Sequence, residues 1–100
     1  PAMPARGCAM SDVTVEVTPE AGGWTCLVTV ADSTTRTIHD VLVSRADLDR
    51  LDPGADDPGD LVRRSFAFLL EREPKESILR SFDLAVIGRY FPDYERTIRR

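Results

Sequence analysis

Two periods divide the chain. Between residues 12 and 43 apolar and polar side chains alternate; beyond residue 44 the apolar positions recur at helical spacing. Val13, Val15 and Val17 alternate with Thr14, Glu16 and Thr18, which predicts a half-buried strand. The stretch from Pro19 to Gly23 is a turn signal. Trp24, Cys26, Val28 and Val30 then alternate with Thr25, Leu27, Thr29 and Ala31. The polar run Asp32 to Thr35 ends that strand, and a third runs from Arg36 to Val43.

The alternation also predicts the pairing. A four-residue loop between Thr18 and Gly23 sets Val17 opposite Trp24, Val15 opposite Cys26 and Val13 opposite Val28. A second four-residue loop between Ala31 and Arg36 sets Val30 opposite Thr37, Val28 opposite His39, Cys26 opposite Val41 and Trp24 opposite Val43. Both hairpins then place their apolar residues on one common face, and a slip of one residue in either would break the agreement. The expectation is an antiparallel meander with its second strand in the middle.

The opposite face is largely threonine and charge: Thr14, Glu16, Thr18, Thr25, Thr29, Arg36 and Asp40. Leu27, Ile38 and Leu42 interrupt it. Leu27 falls opposite Asp40, so Ile38 and Leu42 are its diagonal neighbours, within side-chain reach. The three form a candidate contact surface for a second copy or a protein partner, although isolated exposed aliphatic residues are ordinary. His39 reads as a hydrogen-bonded structural histidine on the core face. Cys26, between valines, reads as an inert buried thiol.

After the strands, Ser44 suits an N-cap with Asp47 at N3, while Val43 and Leu48 occupy the staple positions, so a short helix is expected over 45–51. The acidic, Pro/Gly-rich run 52–57 is a loop. Asp57 as cap and Pro58 at N1 open a longer helix over 58–73. Its apolar residues Leu61, Val62, Phe66, Phe68, Leu69 and Leu70, with Ser65, span an arc of about 200°. An arc that wide implies burial on two sides and makes this the central helix of the core. Pro74 ends it. Further helical segments are expected over 75–82 and 84–91, the latter capped by Asp83 and stopped by Pro92, with a charged tail that frays beyond. The predicted fold class is α+β: a three-stranded antiparallel β-meander packed on one face by C-terminal helices, in the order β-β-β-α-α-α. One such domain occupies 11–100. Residues 1–10 lack periodicity and read as a disordered leader, an expression remnant, or sequence upstream of a start at Met10.

Composition narrows the function classes. The chain has 100 residues, 42% of them apolar, enough for one small core and too apolar for a disordered chain. No run approaches the ~18 apolar residues of a membrane span. The net charge of -4 disfavours a nucleic-acid role, which rests on surplus positive charge. Of the 13 basic residues all but Lys75 are arginine, a skew that reads as genome composition. Two cysteines, Cys8 and Cys26, and one histidine, His39, supply neither a disulfide framework nor a zinc set, so no cofactor or metal is expected and a reducing cytoplasm is the default compartment. Nucleotide-binding, nucleophile-elbow and calcium-loop motifs are missing from the sequence.

The run Phe68-Leu-Leu-Glu-Arg-Glu-Pro-Lys-Glu-Ser-Ile-Leu-Arg-Ser-Phe-Asp-Leu-Ala-Val-Ile-Gly-Arg-Tyr-Phe-Pro92 resembles the C-terminal segment, REPKESILR-FDL-VI-RYFP, of a family of small uncharacterised bacterial proteins. The resemblance covers about a quarter of the chain strongly. It implies a small, self-contained bacterial domain and carries no activity with it. The same run crowds polar groups at helix boundaries, which reads as caps and ion pairs between elements. Alternatively Lys75, Arg80 and Arg89, with Tyr90 beside them, line a small anion site or a docking groove.

These readings together favour a non-catalytic module that associates with itself or with another protein. An antitoxin-like regulator, meeting nucleic acid or a toxin partner, is the alternative on fold analogy alone. A small ligand sensor or enzyme, which would need a deep pocket near His39 or the Arg80–Tyr90 segment, is the third.

Overall fold

A computed structural model describes residues 12–99; the leader expected over 1–10 lies outside them. Three nine-residue strands come first: β1 (Asp12–Glu20), β2 (Gly23–Ala31) and β3 (Arg36–Ser44). Helices α1 (Arg45–Leu51) and α2 (Gly59–Leu70) follow. A 3-10 turn at Lys75–Ser77 leads into a short strand β4 (Ser81–Asp83). A second 3-10 turn at Leu84–Val86 runs into α3 (Ile87–Tyr90), and α4 (Tyr94–Ile98) closes the described chain.

The fold is α+β, and its first three strands form the expected antiparallel meander with β2 in the middle. The β2–β3 register is the one the alternation predicts, with Trp24 opposite Val43 and Cys26 opposite Val41. The β1–β2 register is displaced by two residues: Val17 faces Cys26, Val15 faces Val28 and Pro19 faces Trp24. The connection is a two-residue turn, Ala21–Gly22, instead of four residues. Gly22 makes this tight turn with φ of +80°, a conformation only glycine adopts freely. Because side chains alternate with period two, the displacement leaves Val13, Val15 and Val17 on the core side.

The sheet has four strands, not three, and it is mixed. β4 lies parallel to β3, with Phe82 opposite Val41. This overturns the helix expected over 75–82. After the 3-10 turn the chain extends at Ile78 (ψ 135°), and the Arg80 carbonyl accepts from the Asp40 N–H at 2.7 Å. Pairing with the open edge of β3 satisfies backbone groups that a local helix would otherwise have satisfied. It also carries Phe82 into the core against Phe66.

Helix α2 is shorter at both ends than the 58–73 expected. Pro58 stands at its N-cap instead of N1, while Asp57 Oδ1 accepts from the Gly59 N–H at 2.8 Å. The chain leaves the helix at Glu71, three residues before Pro74. The segment 84–91 divides into a 3-10 turn and one α-helical turn, and the Asp83 side chain makes no capping bond. The tail does not fray over its whole length, because Tyr94 and Ile98, four residues apart on α4, are both buried. Ser44 does cap α1, accepting from the Asp47 N–H at 3.0 Å.

All helices lie on one side of the sheet. Val28, Val30 and Val41 from the strands meet Leu61, Val62, Phe66 and Leu69 of α2 in one core. Trp24 sits at its margin, capped by the Arg45 guanidinium 4.8 Å from the ring centre. The other side of the sheet has no cover among the described residues.

Candidate functional site

Three buried polar side chains each join two segments of chain. The His39 ring is fully buried and packs on Phe66 at 5.3 Å. Its Nδ1 lies 2.7 Å from the Leu79 carbonyl, which can only accept, so Nδ1 carries the proton. Nε2 then accepts from the Thr37 hydroxyl at 2.8 Å. Burial pushes the His39 pKa down, and the Arg80 charge adds to that; the hydrogen bond to Leu79 opposes it. This is the structural histidine the sequence suggests, fastening β3 to the 78–80 segment.

Lys75 is the second such group. Its ammonium donates to Asp32 at 2.6 Å and lies 2.9 Å from Glu76. Asp32 closes the β2–β3 loop by accepting from the N–H groups of Thr34 and Thr35. The Lys75 bond, then those two backbone bonds, hold the Asp32 carboxyl far below the usual range. The third is Ser65, bonded to Tyr94.

Lys75, Arg80, Arg89 and Tyr90 do not converge on one pocket. Lys75 is already neutralised by two carboxylates. Arg80 and Arg89 are exposed, and neither holds an ion pair among the described residues. Only Tyr90 borders the groove found in this region, a shallow depression of about 260 Å³ including its open mouth. Its floor is Leu69, Ile78, Phe82 and Ile87, with Leu79 and Tyr90 as lips and Glu73 as the single charged group lining it. Leu79, half exposed, is a feature the sequence reading missed, because a helix there would have placed it differently.

Leu27, Ile38 and Leu42 do come together. Leu27 lies opposite Asp40, and Ile38 and Leu42 flank that position along β3. They are 39%, 45% and 45% exposed, so the patch faces water. Successive rungs across the sheet frame it with charge. The central rung reads Glu16, Leu27, Asp40, Ser81; the next ends Thr25, Leu42, Asp83. With Asp12 and Glu20 on the same side and Arg36 as the single cation, the face carries four net negative charges, equal to the net charge of the whole chain. The acids of β1 and β3 were legible in the alternation; Asp83 joins them only through the unforeseen fourth strand.

Among the described residues no cluster of three or more metal-ligating side chains occurs, and no helix is long and apolar enough to cross a membrane. Comparison with known proteins returns no matching family model, no matching curated protein and no matching solved structure.

Proposed function

We propose that this protein is a non-catalytic interaction module of the cytoplasm, and that the open face of its sheet receives a basic protein segment bearing aliphatic side chains. The observation that carries this reading is the exposed Leu27, Ile38 and Leu42 patch set inside a frame of Glu16, Asp40 and Asp83. Apolar side chains supply the favourable area, and the surrounding carboxylates select a cationic partner and repel an anionic one. Stacking two copies through this face would oppose two sets of carboxylates, so the occupant is a different chain. The same charge argues against nucleic acid. A toxin-like protein with a basic face would fit; a phosphate backbone would not. The buried polar groups support the reading too, since each is engaged in joining two segments.

The test uses two synthetic amphipathic helices, one with leucine and lysine faces and one with leucine and glutamate faces. The lysine peptide is expected to shift the amide resonances of Leu27, Ile38 and Leu42, with affinity falling as salt rises. Leu27→Thr should weaken that binding about tenfold, the loss of one buried leucine side chain. Equal binding of the glutamate peptide, or shifts confined to Leu79 and Tyr90, would overturn the reading.

A further inference from the structure

The hydrogen-bond parity of the sheet shows which way the backbone of β1 points. The Asp32 N–H donates to the Thr35 carbonyl at 3.0 Å, extending the β2–β3 ladder by one bonded pair. Bonded and non-bonded pairs alternate along an antiparallel ladder, so the even-numbered residues of β2 bond to β3 and the odd-numbered ones to β1. Asp40 donating to Arg80 agrees, since it turns the even residues of β3 toward β4. On β1 the residues opposite Gly23, Thr25, Leu27, Thr29 and Ala31 are Glu20, Thr18, Glu16, Thr14 and Asp12. Those five bond inward. The N–H and C=O groups of Val13, Val15 and Val17 therefore point out of the free edge.

This edge is nine residues long, about 30 Å, and no described residue hydrogen-bonds to its outward groups. Pro19, which has no N–H, falls on the same outward parity and blocks only one end. Long bare edges are normally covered, bulged or charged in their middle. Here the backbone groups that point outward belong to three valines whose side chains are only half-buried where the core thins toward the edge; Glu16, the one charge between them, bonds inward and stands on the outer face, so it does not block the edge.

We infer that β1 pairs antiparallel with β1 of a second copy about a two-fold axis at Val15, joining two four-stranded sheets into one of eight. In that register Val15 faces Val15, and Val13 faces Val17 of the second copy. Each of these valine pairs has both residues' backbone groups turned to the other strand, so each exchanges two hydrogen bonds. The outer side chains agree: Thr14 faces Glu16 of the second copy, and Asp12 faces Thr18. Moving the register by one bonded pair in one direction sets Glu16 against Glu16 and brings Pro19 into the ladder. Moving it the other way sets Asp12 against Glu16. The Val15 register avoids both faults, and it makes the half-buried valine rows continuous across the axis. The pairing lies in the plane of the sheet, so it leaves the Leu27 face free and stands independently of what binds there.

Sedimentation across a concentration series is the first measurement, with a species of twice the 11.1 kDa chain mass expected at the upper end. Thr14 is exposed and its side chain makes no packing contact in the core, so its variants keep the fold. Thr14→Glu sets a carboxylate against Glu16 of the second copy twice by symmetry and should weaken the dimer about two- to thirtyfold; Thr14→Lys should strengthen it. Amide exchange gives the register: slow exchange at Val13, Val15 and Val17 in the dimer, fast exchange at these three in the diluted monomer. A single-chain mass at millimolar concentration would overturn the inference. So would a dimer insensitive to Thr14 but dissolved by Leu27→Asp, which would move self-association to the outer face. Slow exchange at the three valines in a monomer would overturn it as well, because the edge would then be covered within one chain.

Discussion

The phenol oxygen of Tyr94 lies 2.6 Å from the Ser65 hydroxyl, and solvent reaches neither residue. Ser65 donates its one proton to the Leu61 carbonyl at 2.8 Å, so the bond between the two side chains is donated by Tyr94. This bond, with the edge-on packing of Tyr94 against Phe68, fixes the last helix to the middle of α2. Arg64 reinforces it by reaching the Ile98 carbonyl at 2.7 Å while it pairs with Asp52 and Asp60.

That direction of donation makes the two simplest substitutions unequal. Tyr94→Phe leaves Ser65 still bonded to Leu61 and should cost about 1 kcal/mol. Ser65→Ala strands a buried phenol and should cost about 1–3 kcal/mol. Urea unfolding of the two variants checks the order. Burial also pushes the Tyr94 pKa up to about 12 from its ordinary 10.0, and that of Cys26 up to about 11 from 9.0, with the Asp57 charge adding to the latter. Above their ordinary values the unfolded chain ionises first, so stability should fall between about pH 9 and 12. In Tyr94→Phe the fall should become shallower above about pH 10 and end near pH 11, where the Cys26 share is exhausted.

His39 governs the acid side. Its pKa is lowered in the fold because a buried imidazolium is poorly solvated, so the folded state prefers the neutral ring. The resulting stability is complete above the ordinary value of 6.5 and declines as the pH drops through the lowered one. The ring resonances should show the Nδ1–H tautomer at pH 7 and begin to titrate only below 6.5. A ring that protonates at or above its ordinary pKa would contradict the assignment.

Lys75 is expected to act as a clasp between two loops, not as an anion receptor. Lys75→Met should lower the melting temperature by a few degrees and speed amide exchange at 32–35 and 75–77 together. Asp32 owes its depressed pKa first to Lys75, so the wild-type protein should lose stability as pH falls below about 3.8, where the unfolded carboxyl protonates. The variant should show a shallower acid limb. Binding of phosphate or sulfate that depended on Lys75 would count against this role.

Gly23 and Gly54 should respond to alanine for different reasons. A Cβ at Gly23 would collide with the Val43 carbonyl oxygen, so the strand must move away from β3. Gly54 has open space around it but a φ of +88°. Gly54→Ala should cost about 1–2 kcal/mol, the strain of an L-residue in that region. Gly23→Ala should cost more, because it forces β2 and β3 apart beside the Trp24–Val43 rung. Thermal unfolding of the pair separates the two costs.

Much of the sheet was legible because each strand states its own facing. Trp24, Val28 and Val41 alternate with outward residues such as Thr25, Thr29 and Asp40, and one buried face leaves only registers that differ by two. That is also why alternation does not separate the two β1–β2 registers: pairing Val17 with Trp24 or with Cys26 buries the same valines, and the tight turn at Gly22 selects the second. The Leu27, Ile38 and Leu42 patch was legible for the same reason. The bare edge of β1 was not, since it depends on which strand lies outermost and on which residues bond inward.

The chain's own pattern determined the α+β class, the core face of three strands, the cap at Ser44 and the burial of Phe66, because alternation, helical spacing and capping are settled within a few neighbouring residues. Tertiary structure alone decided that Ile78 to Asp83 extends along β3, that Tyr94 and Ile98 bury the tail, and that Lys75 meets Asp32. Those outcomes depend on partners 26 to 43 residues apart, whose meeting no local window records.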